Sequence, residues 1–384
     1  MTVLRSLWLR LHRWFALGLG WLLILAGLTG AMLVVSQPLD RWMNPQLFQA
    51  QSTAGAASND PSTQTAKLEP IVAAAHKEFG PKATLRFKLP QEDGESLWLR
   101  VQSTDWRGTI YLNPTTGQEQ GRRGETEGFV NTLFKLHSTL LLDGTGKIIL
   151  AWVALTYMLL LITGVILWWP KRWPGNWHIE LNKNLVRALF DLHRVGGIVM
   201  GLLIAVTVIT GAYLAWRPLG EVLNLVSGTQ PTKAPKLPAL QVDADQEQLP
   251  KPPSLDTMVA KARAAMPDAQ ISFVQVQANA KQAMRIRFRA HDEPHPNGIS
   301  SVWMDPRTGA VLAVQRWNEI DPGAGAAAIA YPLHTGELGG VALEIVAALN
   351  GVVLAGLGIT GIWLWWRRRK ARKHVHRGHK GAHQ

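Results

Sequence analysis

The sequence predicts an α-helical membrane protein: four transmembrane helices as two parallel pseudo-symmetric repeats, each with an inserted extracytoplasmic α+β domain. Three observations predict it. Residues 15–35, 148–169, 195–216 and 345–366 carry no charge over the ~20 residues that a bilayer core requires. A shift of 181 residues lays Leu11, His12, Arg13, Gly20, Thr29, Gly30 and Ala31 on Leu192, His193, Arg194, Gly201, Thr210, Gly211 and Ala212, so spans one and three are copies. A shift of 197 lays Leu136, His137, Thr163, Gly164, Trp168 and Trp169 on Leu333, His334, Thr360, Gly361, Trp365 and Trp366, so spans two and four are copies as well.

Residues 1–35 hold the N-terminal segment and the first span, and its apolar run exceeds the ~7–15 residues of a signal-peptide core, so an anchor is expected. Residues 36–135 are the first outer domain, and 136–170 an outer interfacial segment with the second span. A cytoplasmic loop, 171–191, leads to the third span at 192–216 and the second outer domain at 217–333. Residues 334–366 bring a second interfacial segment and the fourth span, and 367–384 a basic tail. Within the outer segments "LEPIVAAAHKEF" matches "LDTMVAKARAAM" as an amphipathic helix, and "TIYLNPTTGQ" matches "SVWMDPRTGA" as strand, turn and strand. A polar linker around residues 50–66 and a Pro-rich one around 228–254 separate these domains from the membrane.

Orientation follows from the basic residues. Arg5, Arg10 and Arg13 precede span one, Lys171 and Arg172 follow span two, and "RRRKARKHVHR" follows span four, which predicts cytoplasmic termini. Trp8, Trp168, Trp169, Trp173, Trp216, Trp365 and Trp366 lie at the expected interfaces. The formal charge of +13 is therefore a topology signal, and no nucleic-acid partner is expected; the partner is membrane lipid. The absence of cysteine excludes disulfides, thiolate metal sites, iron–sulfur clusters and covalently attached haem. Histidine is the soft-metal ligand that remains.

His12 and His193 precede the outward-going spans, whereas His137 and His334 precede the inward-going ones. A two-fold axis along the membrane normal would bring each pair face to face at one depth, as axial ligation of a flat haem requires. The expectation is two non-covalent b-type haems, one held by His12 and His193, the other by His137 and His334. Gly20 and Gly201, eight residues after their histidines, would let a macrocycle approach the backbone, and Arg13 and Arg194 would meet haem propionates. The four Thr-Gly pairs, 29–30, 163–164, 210–211 and 360–361, are read as small residues for close helix packing. Arg122, Arg123, Arg285, Arg287 and Arg289 are basic groups able to attract anions, with a solvated strand face as the simpler reading. His291 and His295 are read as surface groups or an outer metal contact, Glu337 and Glu344 as solvated acids or proton relays, and the tail histidines as adventitious.

The stretches "LHRWFALGLGW", "LHSTLLLDGTGK", "TGVILWWPKRW" and "TGIWLWWRRR", with the two Asn/Asp-Pro-x-Thr-Gly turns, resemble the PepSY-associated transmembrane helix family over the whole chain. Length, spans and two outer PepSY-like domains resemble in particular the bacterial inner-membrane ferrisiderophore reductases of the FoxB type. The resemblance implies an oxidoreductase of the bacterial inner membrane, with both PepSY-like domains in the periplasm. In it, haems on membrane histidines pass electrons outward to ferric siderophore and release its iron. The cytoplasmic segments are far shorter than a ~100-residue domain, so the electron donor is expected to be membrane quinol or a separate reductase. A membrane-anchored PepSY regulator of a peptidase, without cofactor, is the alternative.

Overall fold

The computed structural model describes residues 3–51, 66–170, 177–228, 233–239, 252–276 and 280–381, the last eleven as backbone. Lys171, Arg172, Trp173, most of both polar linkers and the tail histidine side chains lie outside the described residues. In chain order, α1 (Val3–Gly18), α2 (Gly20–Met43), α3 (Pro45–Phe48) and α4 (Leu68–Phe79) lead into strands β1 (Thr84–Lys88), β2 (Leu97–Gln102), β3 (Arg107–Leu112) and β4 (Glu119–Gly124). Helices α5 (Phe129–Thr139), α6 (Asp143–Trp168), α7 (Leu185–Ala215), α8 (Arg217–Ser227) and α9 (Leu255–Ala265) follow. Strands β5 (Ala269–Val276), β6 (Met284–Ala290), β7 (Ser300–Met304) and β8 (Val311–Gln315) then precede α10 (Pro322–Thr335) and α11 (Gly340–Gly381).

The chain divides into two compact units: 1–36, 133–222 and 330–384 make one, and 37–132 with 223–329 the other. The first is the membrane unit. Four of its helical segments, Gly20–Met43, Asp143–Trp168, Leu185–Ala215 and Glu337–Lys370, are long and apolar enough to cross a bilayer. Their outward side chains are apolar and open, Leu202 at 76% and Val199 at 60% exposure, a surface that lipid covers and water would not tolerate. The inward faces interlock through Leu22, Leu23, Val153, Tyr157, Ile204, Ala205 and Leu354. The Tyr157 hydroxyl spans α6 and α7 by donating to the Gly201 carbonyl at 2.8 Å, satisfying a polar group where no water is at hand.

Close backbone packing has its own glycines. A Cβ added at Gly27 would fall 2.5 Å from the Gly351 carbonyl oxygen, and one at Gly351 the same distance from that of Gly27. The contact between the first and fourth spans therefore needs hydrogen at both positions. The chain between α5 and α6 reverses through three non-glycine residues of positive φ, Leu140 (52°), Leu141 (59°) and Asp143 (48°). Asp143 also anchors the turn by an ion pair at 2.9 Å with the buried Lys135.

The second unit is built on one antiparallel sheet of eight strands in the order β4-β3-β2-β1-β5-β6-β7-β8. Each outer segment supplies four strands and the helix read from its sequence, α4 in the first and α9 in the second. Pairing of β1 with β5, Leu85 opposite Val276 and Phe87 opposite Val274, fuses the two sets into a continuous sheet. Alternation drives this: Leu85, Phe87, Leu97, Leu99, Val101, Val274, Ile286, Phe288, Val302 and Met304 point to one face and share a single core with α4 and α9. The two hairpin turns form as their sequences require. Asn113 Oδ1 accepts from the backbone N–H groups of Thr115 (2.9 Å) and Thr116 (3.0 Å), Asp305 Oδ1 from that of Arg307 (2.9 Å), and Gly117 and Gly309 take φ of 73° and 67°.

The helices cap each other across the two copies. Asp256 of α9 accepts from the N–H groups of Leu68 (2.7 Å) and Glu69 (3.2 Å), and Glu69 of α4 accepts from Leu255 N–H (2.6 Å). Each carboxylate thus sits at the positive end of its partner's dipole, so neither copy completes its own helix start alone.

Candidate functional site

Two pairs of histidines meet inside the membrane unit. His12 on α1 and His193 on α7 have ring centroids 6.4 Å apart with planes crossed at 89°. His137 on α5 and His334 on α10 are 6.1 Å apart at 38°. Residues 193 and 210 are on one helix, α7, and Thr210 bonds to His334. Seventeen residues of helical rise between them set the two pairs about 25 Å apart along it.

Each ring is held by a threonine through Nδ1: His12 by Thr163 (2.8 Å), His137 by Thr29 (3.0 Å), His193 by Thr360 (3.1 Å) and His334 by Thr210 (3.2 Å). These threonines come from the four Thr-Gly pairs, so their role goes beyond the helix packing expected of them. A hydroxyl has one proton to give. In all four, Oγ1 donates it to the carbonyl four residues back, Leu25, Leu159, Val206 and Gly356, at 2.7–2.8 Å. Oγ1 can then only accept, and Nδ1 must carry the ring proton. His334 makes the same point directly, since its Nδ1 also lies 2.9 Å from the Thr207 carbonyl, which can only accept. The tautomer is thereby fixed with a bare lone pair on Nε2, and among the described residues no protein group takes it.

The glycine beside each threonine makes room for the imidazole. A Cβ at Gly30 would lie 3.0 Å from His137 Cε1, at Gly211 2.8 Å from His334 Cε1, at Gly361 3.2 Å from His193 Cε1, and at Gly164 3.6 Å from His12 Cε1. The four paired histidines therefore match the four Thr-Gly pairs borne by the spans one to one. That equality was the signal in the sequence; the span that supplies each threonine was not legible there.

A metal atom bound by two imidazoles through Nε2, at about 2.0 Å each, places their ring centroids roughly 6 Å apart. Both pairs meet that separation, with the free nitrogen of the right kind. The donor chemistry is all-imidazole: no trio of His, Asp or Glu side chains able to hold a metal ion occurs among the described residues. Two rings alone suit a metal whose remaining positions are filled by a planar macrocycle.

The flanking residues divide. A Cβ at Gly20 would touch nothing but Ala16 Cβ at 3.8 Å, whereas one at Gly201 would strike Leu161 Cδ1 at 2.6 Å, so Gly201 is filled by protein. Arg194 is committed to the fully buried Asp191 at 3.0 Å and to the His178 carbonyl at 3.0 Å, and Arg187 holds the other carboxylate oxygen at 2.7 Å. Arg13 has polar or electrostatic contacts of its own. In the sheet unit, Arg122 is bound to Glu119 and Glu78, and Arg123 to Asp40 at 2.7 Å. His295 is no surface residue. It is 5% exposed in a loop packed on β6, and burial followed by the Arg287 charge holds its pKa down at about 4.

Residues 9–368 match the sequence profile of the family described as the PepSY-associated TM region. No match was found among curated proteins. The profile covers both histidine pairs, the first three spans, the fourth to within two residues of its end, and the sheet unit, and the chain belongs to the PepSY-associated transmembrane family.

Proposed function

We propose that this protein is a dihaem b-type reductase of the bacterial inner membrane that takes electrons on the cytoplasmic side and delivers them in the periplasm to ferric siderophore. His12 with His193 and His137 with His334 would each hold a haem, which would supply one-electron transfer. The observation that carries the reading is the repeated unit of histidine, threonine and glycine: two imidazole pairs, each ring locked in the tautomer that frees Nε2. A mere packing histidine needs no fixed tautomer and no facing partner.

In this reading the threonines orient the rings, the glycines seat them, and the apolar helices around Tyr157 and Ile204 exclude water from the path between the pairs. Basic residues flanking the spans favour cytoplasmic termini, and on that orientation electrons would enter from quinol or a separate reductase at the His12–His193 end and leave at the His137–His334 end. Fe(III) held by hard oxygen donors is bound far more tightly than Fe(II), so one added electron weakens the chelate and frees the metal.

The test is single-turnover oxidation. Purified protein is reduced stoichiometrically and mixed with a ferric siderophore and an Fe(II) indicator. The reading predicts that bleaching of the reduced haem bands matches Fe(II) formed, one for one. Haem-loaded protein that stays reduced in the presence of ferric siderophore contradicts the reductase assignment.

A further inference from the structure

The face of the sheet opposite α4 and α9 gathers positive charge that the fold leaves unneutralised. On it Arg86 of β1 stands opposite Arg100 of β2 and Gln275 of β5, and Arg285 and Arg287 of β6 stand opposite Trp303 and Ser301 of β7. Like charges opposite one another in a sheet are destabilising. Arg100 meets Glu125 at 3.8 Å, but among the described residues Arg86, Arg285 and Arg287 make no ion pair with a carboxylate. Arg285 is held by Ser301 Oγ (2.8 Å) and the Ile299 carbonyl (3.3 Å), and Arg287 by the Gly298 carbonyl. The Nε of Arg287 is buried with no acceptor. The Arg86 side chain makes no hydrogen bond among the described residues, and the residue is exposed. Burial and the neighbouring arginines hold Arg287 down at about 10, so all three stay charged at neutral pH. Glu293, the acid whose charge acts on Arg287, is spent on the N–H groups of Ala290 and Ile299 and on Ser300 Oγ.

We propose that this face is a binding site for a small polyanion with several carboxylate or catecholate oxygens, clamped by Arg86, Arg285 and Arg287. Size follows from spacing. The Arg86 and Arg285 backbones lie two strands apart, about 10 Å, and those of Arg285 and Arg287 about 7 Å apart along one strand, a spread that suits an anion with several separated oxygens better than a single phosphate. Both ends of the face are closed, one by Phe48 packed on Trp98 (5.6 Å) and Tyr111 (5.3 Å), the other by the loop that bonds Arg285 and Arg287, which disfavours an extended polymer. Guanidinium forks match planar oxygen pairs, and Arg285 and Arg287 are already stacked over Trp303 (5.3 Å) and Phe273 (5.3 Å), fixing their planes. Anionic ferric chelates fall in this class. Their link to turnover rests on the reductase reading, whereas the site itself does not.

The test uses gallium(III) chelates, which bind like ferric ones but accept no electron, so it is independent of haem. Full-length protein in detergent is titrated by calorimetry with gallium tris-catecholate, gallium citrate, a neutral gallium tris-hydroxamate and inorganic phosphate. The site predicts saturable binding of the two anionic chelates, at least tenfold weaker in Arg86→Gln and in Arg285→Gln, and at least tenfold weaker for the neutral chelate. Because Arg86 holds nothing in the fold, Arg86→Gln should leave unliganded stability unchanged or raised. Affinity that is the same in wild type and in Arg86→Gln overturns the proposal. So does charge-dependent binding of anionic lipid vesicles with no binding of the soluble chelates, which would make the face a membrane surface.

Discussion

At the scale of single residues, the proposed haem ligation depends on which imidazole nitrogen carries a proton. Thr163 and Thr360 settle this for His12 and His193, Thr29 and Thr210 for His137 and His334. Replacing a threonine by valine keeps the shape and removes the acceptor. Outer-shell losses of this kind cost about 10–100-fold in metal affinity, so Thr163→Val with Thr360→Val should deplete one haem and leave the other, as counted by pyridine haemochrome. Ring planes crossed at 89° in one pair and 38° in the other should give two distinct low-spin ferric EPR signals, the crossed pair the more anisotropic. His295 makes a separate prediction. Its folded pKa of about 4 lies below the unfolded ~6.5, so the unfolded state binds more protons between these values. Stability of the sheet unit should therefore fall as pH drops from about 6.5 to about 4, and His295→Gln should flatten that slope in a denaturant series.

At the scale of elements, the spans and hairpin turns were legible because each follows from a local rule: an uncharged run of bilayer length, or an Asn or Asp before Pro and a Gly of positive φ three residues past that Pro. The pairing of β1 with β5 was not, since it joins residues about 190 apart whose alternation fits any neighbouring strand. Nor was the exchanged capping, although Glu69 and Asp256 occupy matching positions in the two helices. Glu69→Ala and Asp256→Ala should each cost about 1 kcal/mol, and each should speed hydrogen exchange at the start of the other copy's helix. Acceleration confined to the mutated helix would refute the exchange. The turn after α5 gave no signal either, because Leu140 and Leu141 are poor candidates for positive φ. A Cβ at Gly146 would fall 1.5 Å from the Thr139 carbonyl oxygen, so Gly146→Ala should displace α5 with its histidine and lower haem occupancy at that pair.

At the scale of the whole molecule, duplication gives the fold its economy: each of His12, His137, His193 and His334 has a counterpart in the other half, and the two halves meet at both histidine pairs and along the sheet. The histidines themselves could be singled out by their repetition and by their place beside each span. Their threonine anchors could not, because the partner span is a matter of packing between helices that hydropathy alone does not order. The most direct measurement is the reduced-minus-oxidised absorbance spectrum of the purified protein, with haem counted per chain, in wild type and in His12→Ala, His193→Ala, His137→Ala and His334→Ala. The account predicts two b-type haems in wild type, one lost or altered alike by either change in the His12–His193 pair and the other by either change in the His137–His334 pair. A colourless protein made with ample haem, or spectra indifferent to all four substitutions, would contradict it and favour a cofactor-free membrane anchor.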